Sequence, residues 1–439
     1  MNIGEIIELD IQSNGISGEG VARCDNKVVF VPYTLKGERV RAKITEVKKK
    51  YANASVIKIL APSEYRITPT CPHYYKCGGC DMGHIAPEYR REVLIAELKN
   101  NLKKIAEISG IEPEFVTVDN GNTRNKLSMP FGICNGKAVV GLYRQNTHKV
   151  EPVACAFASA LMQKTVDAVC DFANAKRLSV YDQRSGAGLL RHIVMREIGG
   201  RASATLVING DGFDGEAELG ELLPECVDLF VCPNTRPNNV IMGESVRLIK
   251  GEPRLKANVL GVKAMLSPLS FFQVNDSVRD ALYSCAISNI KSPVLIDLYS
   301  GIGITSNLAA KNCKKVIAVE CVPQAVKDAD GTAALNGNAD KIKNICGNVE
   351  NVLDKLGSEV GADVLVDPPR KGCGSAVMDG IAKIKPARLI YISCNHATMC
   401  RDIRSFLDTS PDYDITEAKI FDMFPNTHHV ETLVCLTRK

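Results

Sequence analysis

Along residues 1–60, short apolar runs alternate with Gly and Asn turns. Residues 28–31 and 39–44 read as strands of a small β-barrel, with residues 17–23 as a flexible loop before a strand. Pro62 and Pro69 mark a linker. Leu94, Leu98, Leu102 and Ile105 then recur at helical spacing, which predicts a packing helix over 87–110 ended by Gly110. Residues 115–265 alternate strands and turns, with strands expected at Lys137–Tyr143, 190–196 and 203–208. From Pro268 the pattern changes to alternating strands and helices, the signature of a doubly wound parallel sheet. Its strands are expected at Val294–Leu298, 315–319, 364–366, 389–392 and 430–436. Three domains follow: a barrel over 1–60, a central α+β domain over 61–265 and an α/β domain over 266–439.

Composition narrows the class. The chain is 45% hydrophobic and 24% charged and has no Trp, as expected of a soluble globular protein. No apolar run is long enough to span a bilayer, and the start carries acids where a signal peptide needs basic residues. Seventeen Cys without a leader point to a reducing cytosol. Net charge is +4, which permits an acidic partner. Seven basic residues lie between Lys36 and Lys50 against Glu38 and Glu46, a pattern shared by phosphate-binding strands and by solvated, edge-protecting ones.

Two stretches carry metal-type and cofactor-type signals. Cys71, Cys77 and Cys80 stand in C-x5-C-x2-C, with glycines that let the backbone wrap closely. Cys155 is the candidate fourth ligand and Cys170 its rival; spacing leaves zinc and an iron–sulfur cluster both open. In the last third, Val294–Leu298 runs into a loop with Gly301 and Gly303, and Glu320 ends the next strand, where a carboxylate can hold a ribose diol. The D-x-Y-x-G-x-G pattern with that acid is similar to the S-adenosylmethionine (SAM) site of class I methyltransferases. Asn348 falls where such folds contact adenine.

The remaining groups suggest covalent chemistry. Asp367-Pro368-Pro369-Arg370 follows an apolar strand, and its prolines stiffen the loop. Arg370 stands where amine methyltransferases carry an aromatic residue, so a carbon target is the better reading. Cys394 ends the apolar run 389–392; alone it reads as a buried thiol, but in this company it is a candidate nucleophile. Adding its thiolate to C6 of a pyrimidine would activate C5. Glu431, entering an otherwise apolar strand, is the candidate base, with His428 or His429 in reserve.

DLYSGIG, VDPPRKG, ISCN, MFPNTHHVETLVCL and SFFQVN together resemble the RNA uracil-5 methyltransferase family. The first 60 residues resemble a TRAM domain, a small RNA-binding barrel. This resemblance implies a class I (Rossmann-like) methyltransferase domain. It implies SAM contacts from Gln273, Tyr299, Glu320 and Asp367, Cys394 as nucleophile and Glu431 as base. It also implies a [4Fe–4S] cluster on Cys71, Cys77, Cys80 and Cys155. The implied protein is a cytoplasmic monomer with no membrane association. Its expected substrate is 23S ribosomal RNA, or alternatively the T-loop uridine of transfer RNA, and access to C6 requires base flipping. Ser300 and Gly83 depart from common family residues. Ile304 occupies the position of a further SAM contact, so that contact is not carried over. Two rival readings compete: a radical-SAM methylthiotransferase, whose cluster spacing is C-x3-C-x2-C, and a non-catalytic RNA-binding protein.

Overall fold

A computed structural model describes residues 1–118, 124–145, 147–356 and 359–439. The first 61 residues form a six-stranded antiparallel and parallel sheet ordered Ile6–Asp10, Arg39–Val47, Tyr51–Ala61, Lys27–Val31, Gly20–Cys24 and Ser13–Asn14. Alternation does the folding: Val40, Ala42 and Ile44 point into the core, while Arg39, Arg41 and Lys43 point out. Of the basic residues, Arg39 and Arg41 both reach Glu8 (3.0 and 2.9 Å), and Lys48 reaches Glu46 (2.6 Å). These exposed pairs contribute little stability.

Two larger sheets follow. A seven-stranded sheet runs from Val150–Pro152 at one edge to Arg247–Lys250 at the other, with the helix Ala160–Ala175 packed on it. An eight-stranded sheet is ordered Ile342–Cys346, Lys315–Glu320, Val294–Leu298, Asp363–Val366, Arg388–Ser393, Glu431–Arg438, Tyr413–Phe421 and Glu114–Val116. Its first five strands are parallel. The chain enters at Val294–Leu298, builds outward to one edge, then returns to the other side at Asp363–Val366. The switch point of an open α/β sheet, where ligands bind, lies between those two strands.

The sheet departs from the all-parallel expectation at one end. Glu431–Arg438 runs antiparallel to both its neighbours, and Glu114–Val116 adds a parallel edge strand from far earlier in the chain. The long helix spans Pro87–Lys104 and stops six residues before Gly110, with Glu107 in a left-handed conformation (φ +59°) just beyond it. Its buried Leu94, Leu98 and Leu102 share a core with Leu389, Tyr391, Ile403, Phe406 and Val434 of the last third. Among the described residues no helix is long and apolar enough to cross a membrane.

Leu98 is fully buried in that shared core. Leu98→Ala should cost about 2–5 kcal/mol in chemical denaturation. SAM binding and far-ultraviolet circular dichroism should be lost together at lower denaturant; an unchanged SAM-binding midpoint would show the helix to be an appendage.

Candidate active site

Strand direction assembles the site. Tyr299–Gly303, Asp367 and Cys394 follow the carboxyl ends of parallel strands, and Glu320 is the last residue of one. Because Glu431–Arg438 runs the other way, its first residue arrives at that same rim. Ser393 and Thr432 are Cα partners in the ladder, so Cys394 and Glu431 continue it as neighbours.

The glycine loop is held in conformations few residues adopt. Tyr299 has φ +63°, a strained value for a non-glycine residue. Gly303 has φ +78° and starts the helix Ile304–Ala309; a Cβ there would stand 3.2 Å from that of Ala329. The Glu320 carboxylate accepts from the amides of Gly301 (3.1 Å) and Val322 (2.8 Å), while the Gly347 amide donates to the Glu320 carbonyl (2.9 Å). Asn348 starts the helix Val349–Leu353. Asp297, the first residue of the D-x-Y-x-G-x-G pattern, is buried and accepts from the hydroxyls of Thr305 (2.7 Å) and Ser306 (2.5 Å). Gln273 is buried, and its carbonyl accepts from Asn125 of the central sheet (2.9 Å).

Cys394 stands two residues before the helix His396–Thr409. Asn395 caps that helix, accepting from the amides of Ala397 (3.0 Å) and Thr398 (3.2 Å). A thiolate there gains from the helix's positive end. The same helix holds the Asp367–Gly374 loop. Asp402 accepts from the amides of Cys373 (2.7 Å) and Gly374 (3.3 Å) and from the Tyr391 hydroxyl (2.7 Å), while Thr398 donates to the Arg370 carbonyl (3.2 Å).

The loop before Glu431 is anchored from outside the sheet. Arg90 of the long helix forms a bidentate pair with Asp422 (2.7 and 2.9 Å) and also donates to the Thr427 carbonyl (3.1 and 2.7 Å). Asp81, next to Cys80, accepts from the His428 amide (2.9 Å) and bonds its ring Nδ1 (2.5 Å). The amides of Asp81 and Met82 donate to the Asn426 carbonyl (3.2 and 2.9 Å).

The site is crowded with acids. Burial raises Asp367 to about 7, with Asp297 adding to the effect. Burial raises Glu431 well above the usual range, Asp367 adds to this, and Arg370 opposes it. Burial and Glu431 push the Cys394 thiol up, while Arg370 draws it down. The buried Tyr283 phenol, pushed up chiefly by burial, also feels Asp367, Glu431 and Asp297. Of the reserve bases, burial lowers His429 to about 4. For His428, burial works against protonation, but Asp81 outweighs it and raises the pKa.

Cys71, Cys77, Cys80 and Cys155 line one cavity of about 270 Å³ with Arg124 and Lys126. Burial pushes Cys80 up to about 12 and raises Cys77, each with a contribution from Cys155. Cys170 lies elsewhere, against the core of the central sheet. Among the described residues no three His, Cys, Asp or Glu converge tightly enough to hold a single metal ion. Arg90, Asp81 and Tyr283 escaped the sequence reading; an Arg on the same helical face as Leu94 and Leu98 was the one available signal for Arg90.

Comparison with known proteins gives a consistent picture. Residues 262–439 match the tRNA (uracil-5-)-methyltransferase family model, and residues 2–57 match the TRAM domain. An uncharacterized RNA methyltransferase of Caldanaerobacter subterraneus is 38% identical over 100% of this chain and 99% of its own. One from Halalkalibacterium halodurans is 31% identical over 100% of this chain and 98% of its own. In fold, the chain is similar to the Pyrococcus abyssi tRNA (uracil-54, C5)-methyltransferase bound to S-adenosyl-L-homocysteine. The TM-score is 0.80 at 22% identity, covering 98% and 99% of the two chains.

The raised carboxyls predict a pH-dependent SAM affinity. A cationic sulfonium bound beside Asp367 would favour its ionised form, and binding would then release a proton wherever the free protein holds one. Affinity should therefore fall as pH drops below about 7, by at most about tenfold per pH unit for one group. Calorimetry in buffers of different ionisation enthalpy should detect proton release at pH 6.5, and Asp367→Asn should abolish it. A pH-independent affinity between pH 6 and 8 would refute the electrostatic picture.

Proposed function

The chain belongs to the RNA uracil-5 methyltransferase family, and we propose that it transfers the methyl group of SAM to C5 of a uracil in structured RNA. The observation that carries this reading is the register that seats Glu431 beside Cys394 at the rim holding Asp367 and Arg370. Cys394 adds to C6 of the flipped base, forming the S–C6 bond and moving electron density to C5. Arg370 and the helix terminus favour the thiolate. The methyl group bonds to C5 as its bond to sulfur breaks. Glu431 then takes the C5 proton, and the electrons left behind expel the Cys394 thiolate. A carboxylate of raised pKa is a better base for that step than an ordinary one. Gly301, Gly303, Tyr299, Glu320, Asn348 and Gln273 are assigned to SAM.

23S ribosomal RNA is the proposed substrate, resting on the pairing of barrel and cysteine module. The protein is proposed to act in the cytoplasm as a monomer. Mass-spectrometric mapping of 5-methyluridine from a strain lacking the gene tests the substrate. Loss from transfer RNA alone would replace it.

A [4Fe–4S] cluster is proposed on Cys71, Cys77, Cys80 and Cys155. Four thiols facing one cavity of about 270 Å³ suit a polynuclear centre better than a single ion. Arg124 and Lys126 in the wall suit its negative charge. Lys126 is lowered to about 8 by burial, with Arg196 adding to the effect; an anionic centre would relieve this. Bound there, the cluster would order the Cys71–Asp81 segment that carries Asp81. Protein purified without air should carry about four irons per chain. Stoichiometric zinc without visible absorbance would overturn the assignment.

The two catalytic residues should fail on opposite sides of the covalent intermediate. Cys394→Ala should abolish turnover and form no RNA adduct while SAM still binds. Glu431→Gln keeps shape but cannot take the proton, so a methylated RNA-linked species should survive denaturing electrophoresis, with turnover down by at least about 100-fold. Normal turnover by Glu431→Gln, or an adduct of Cys394→Ala on 5-fluorouridine RNA, would exclude this mechanism.

A further inference from the structure

A second cavity, of about 260 Å³, opens from Cys394 away from the glycine loop. Three separate parts of the chain build it. Ser17 comes from the barrel loop, Glu97 and Asn101 from the long helix, and His396 and His428 from the segments flanking the catalytic strands. None of Tyr299, Gly301, Gly303, Glu320, Asp367 or Glu431 lines it. It therefore lies on the RNA side of the nucleophile and not on the methyl-donor side.

His396 makes this cavity unusual. It is 6% exposed, yet neither ring nitrogen has a hydrogen-bond partner. Its Nδ1 faces Glu97 Oε1 at 3.8 Å, too far for a hydrogen bond. Leaving a buried polar group unpaired costs about 1–3 kcal/mol, and native structures rarely tolerate it without a role. Burial lowers His396 to about 4 and raises Glu97 to about 7. Near neutral pH His396, Glu97 and Asn101 therefore offer a neutral imidazole, a weakly acidic carboxyl and an amide, a mixture of donors and acceptors, while Arg370 in the same lining carries a fixed positive charge. Those three groups fit the edge of a heteroaromatic base, and a phosphate contact would fall to Arg370. The His428 and His429 rings, with centroids 3.9 Å apart and planes tilted by 44°, also line it and offer aromatic faces to a base.

We propose that this cavity receives a second unstacked nucleobase, the immediate neighbour of the target uridine, read on its edge by His396, Glu97 and Asn101. The inference rests on the RNA uracil methyltransferase reading. In a uracil bonded to Cys394 at C6, one adjacent ring atom is C5, the methyl acceptor, and the other is N1, which carries the ribose. The RNA backbone therefore leaves the reacting base on this flank, and the next nucleotide is the group brought to the opening. Displaying unpaired bases for edge recognition is how proteins read RNA sequence.

The test uses the full-length protein and a short RNA hairpin containing the mapped uridine, intact or abasic at its 5′ or 3′ neighbour. His396→Phe keeps the ring volume without the nitrogens, and Glu97→Gln keeps the shape. Each should retain the wild-type SAM affinity and raise KM for intact RNA about tenfold. One abasic hairpin should cost the wild type about as much, and the variants should lose no more on it. Should His396→Phe fail to fold, Glu97→Gln carries the comparison alone. Unchanged KM in the variants, a wild type indifferent to both abasic hairpins, or variants that lose as much as wild type on the abasic RNA would each overturn the proposal. If the wild type methylates no RNA and forms no 5-fluorouridine adduct, the parent reading fails instead.

Discussion

The buried guanidinium of Arg90 is the interaction on which the site depends. It donates to the Asp422 carboxylate and the Thr427 carbonyl, fastening the long helix to the start and the middle of the 422–430 loop. A buried ion pair adds little net stability over an apolar substitute, but breaking one partner costs about 3–5 kcal/mol. Its value here lies in specificity of geometry. Glu431 can face Cys394 only if the residues before it take one path. Arg90 fixes that path on one side and Asp81 on the other. The second anchor is covalently next to Cys80, so the cysteine cavity and the loop before Glu431 are joined through one residue. The stretch from Asp81 to Arg90 and the strand before Cys394, both distant in sequence from Glu431, thus converge on one carboxylate.

The same rim stores unfavourable electrostatics. Asp297, Asp367 and Glu431 lie near one another in a setting that resists their ionisation, with Tyr283 and Cys394 also nearby. A folded carboxyl with a raised pKa is most favourable to stability at low pH and loses that advantage as pH rises through the folded value. Near neutral pH the free site is thus less stable than a neutral version would be. A cationic group bound among them would relieve the acids, so the stability given up would return as selectivity toward positive charge.

What could be read in advance followed from local patterns. β-Branched runs marked Val294–Leu298 and Lys137–Tyr143 with their observed limits, because a buried strand needs only its own residues to be apolar. The glycine loop and the three closely spaced cysteines were legible for a similar reason: their constraint is carried by neighbours in sequence. The end of the long helix was misplaced because Glu107 adopts the left-handed conformation that the pattern assigned to Gly110. Arg90, Asp81, Glu97 and His396 derive their meaning from partners elsewhere in the chain, and no periodicity announces such pairs. The antiparallel entry of Glu431 was equally hidden, since an apolar strand reads the same in both directions.

The position of the long helix also has a temporal meaning. Its leucine face packs on strands that end near residue 436, and Glu114–Val116 pairs with Tyr413–Phe421. At about 5–20 residues per second, a ribosome takes about 15–60 s to make the intervening chain. Throughout that interval the helix has its apolar stripe but not its destination. The barrel, by contrast, holds its own core within its first 61 residues. The nascent chain thus acquires an RNA-facing surface well before it acquires a catalyst, and an interrupted translation product would be a binder without chemistry, carrying an uncovered leucine seam for chaperones and proteases to recognise.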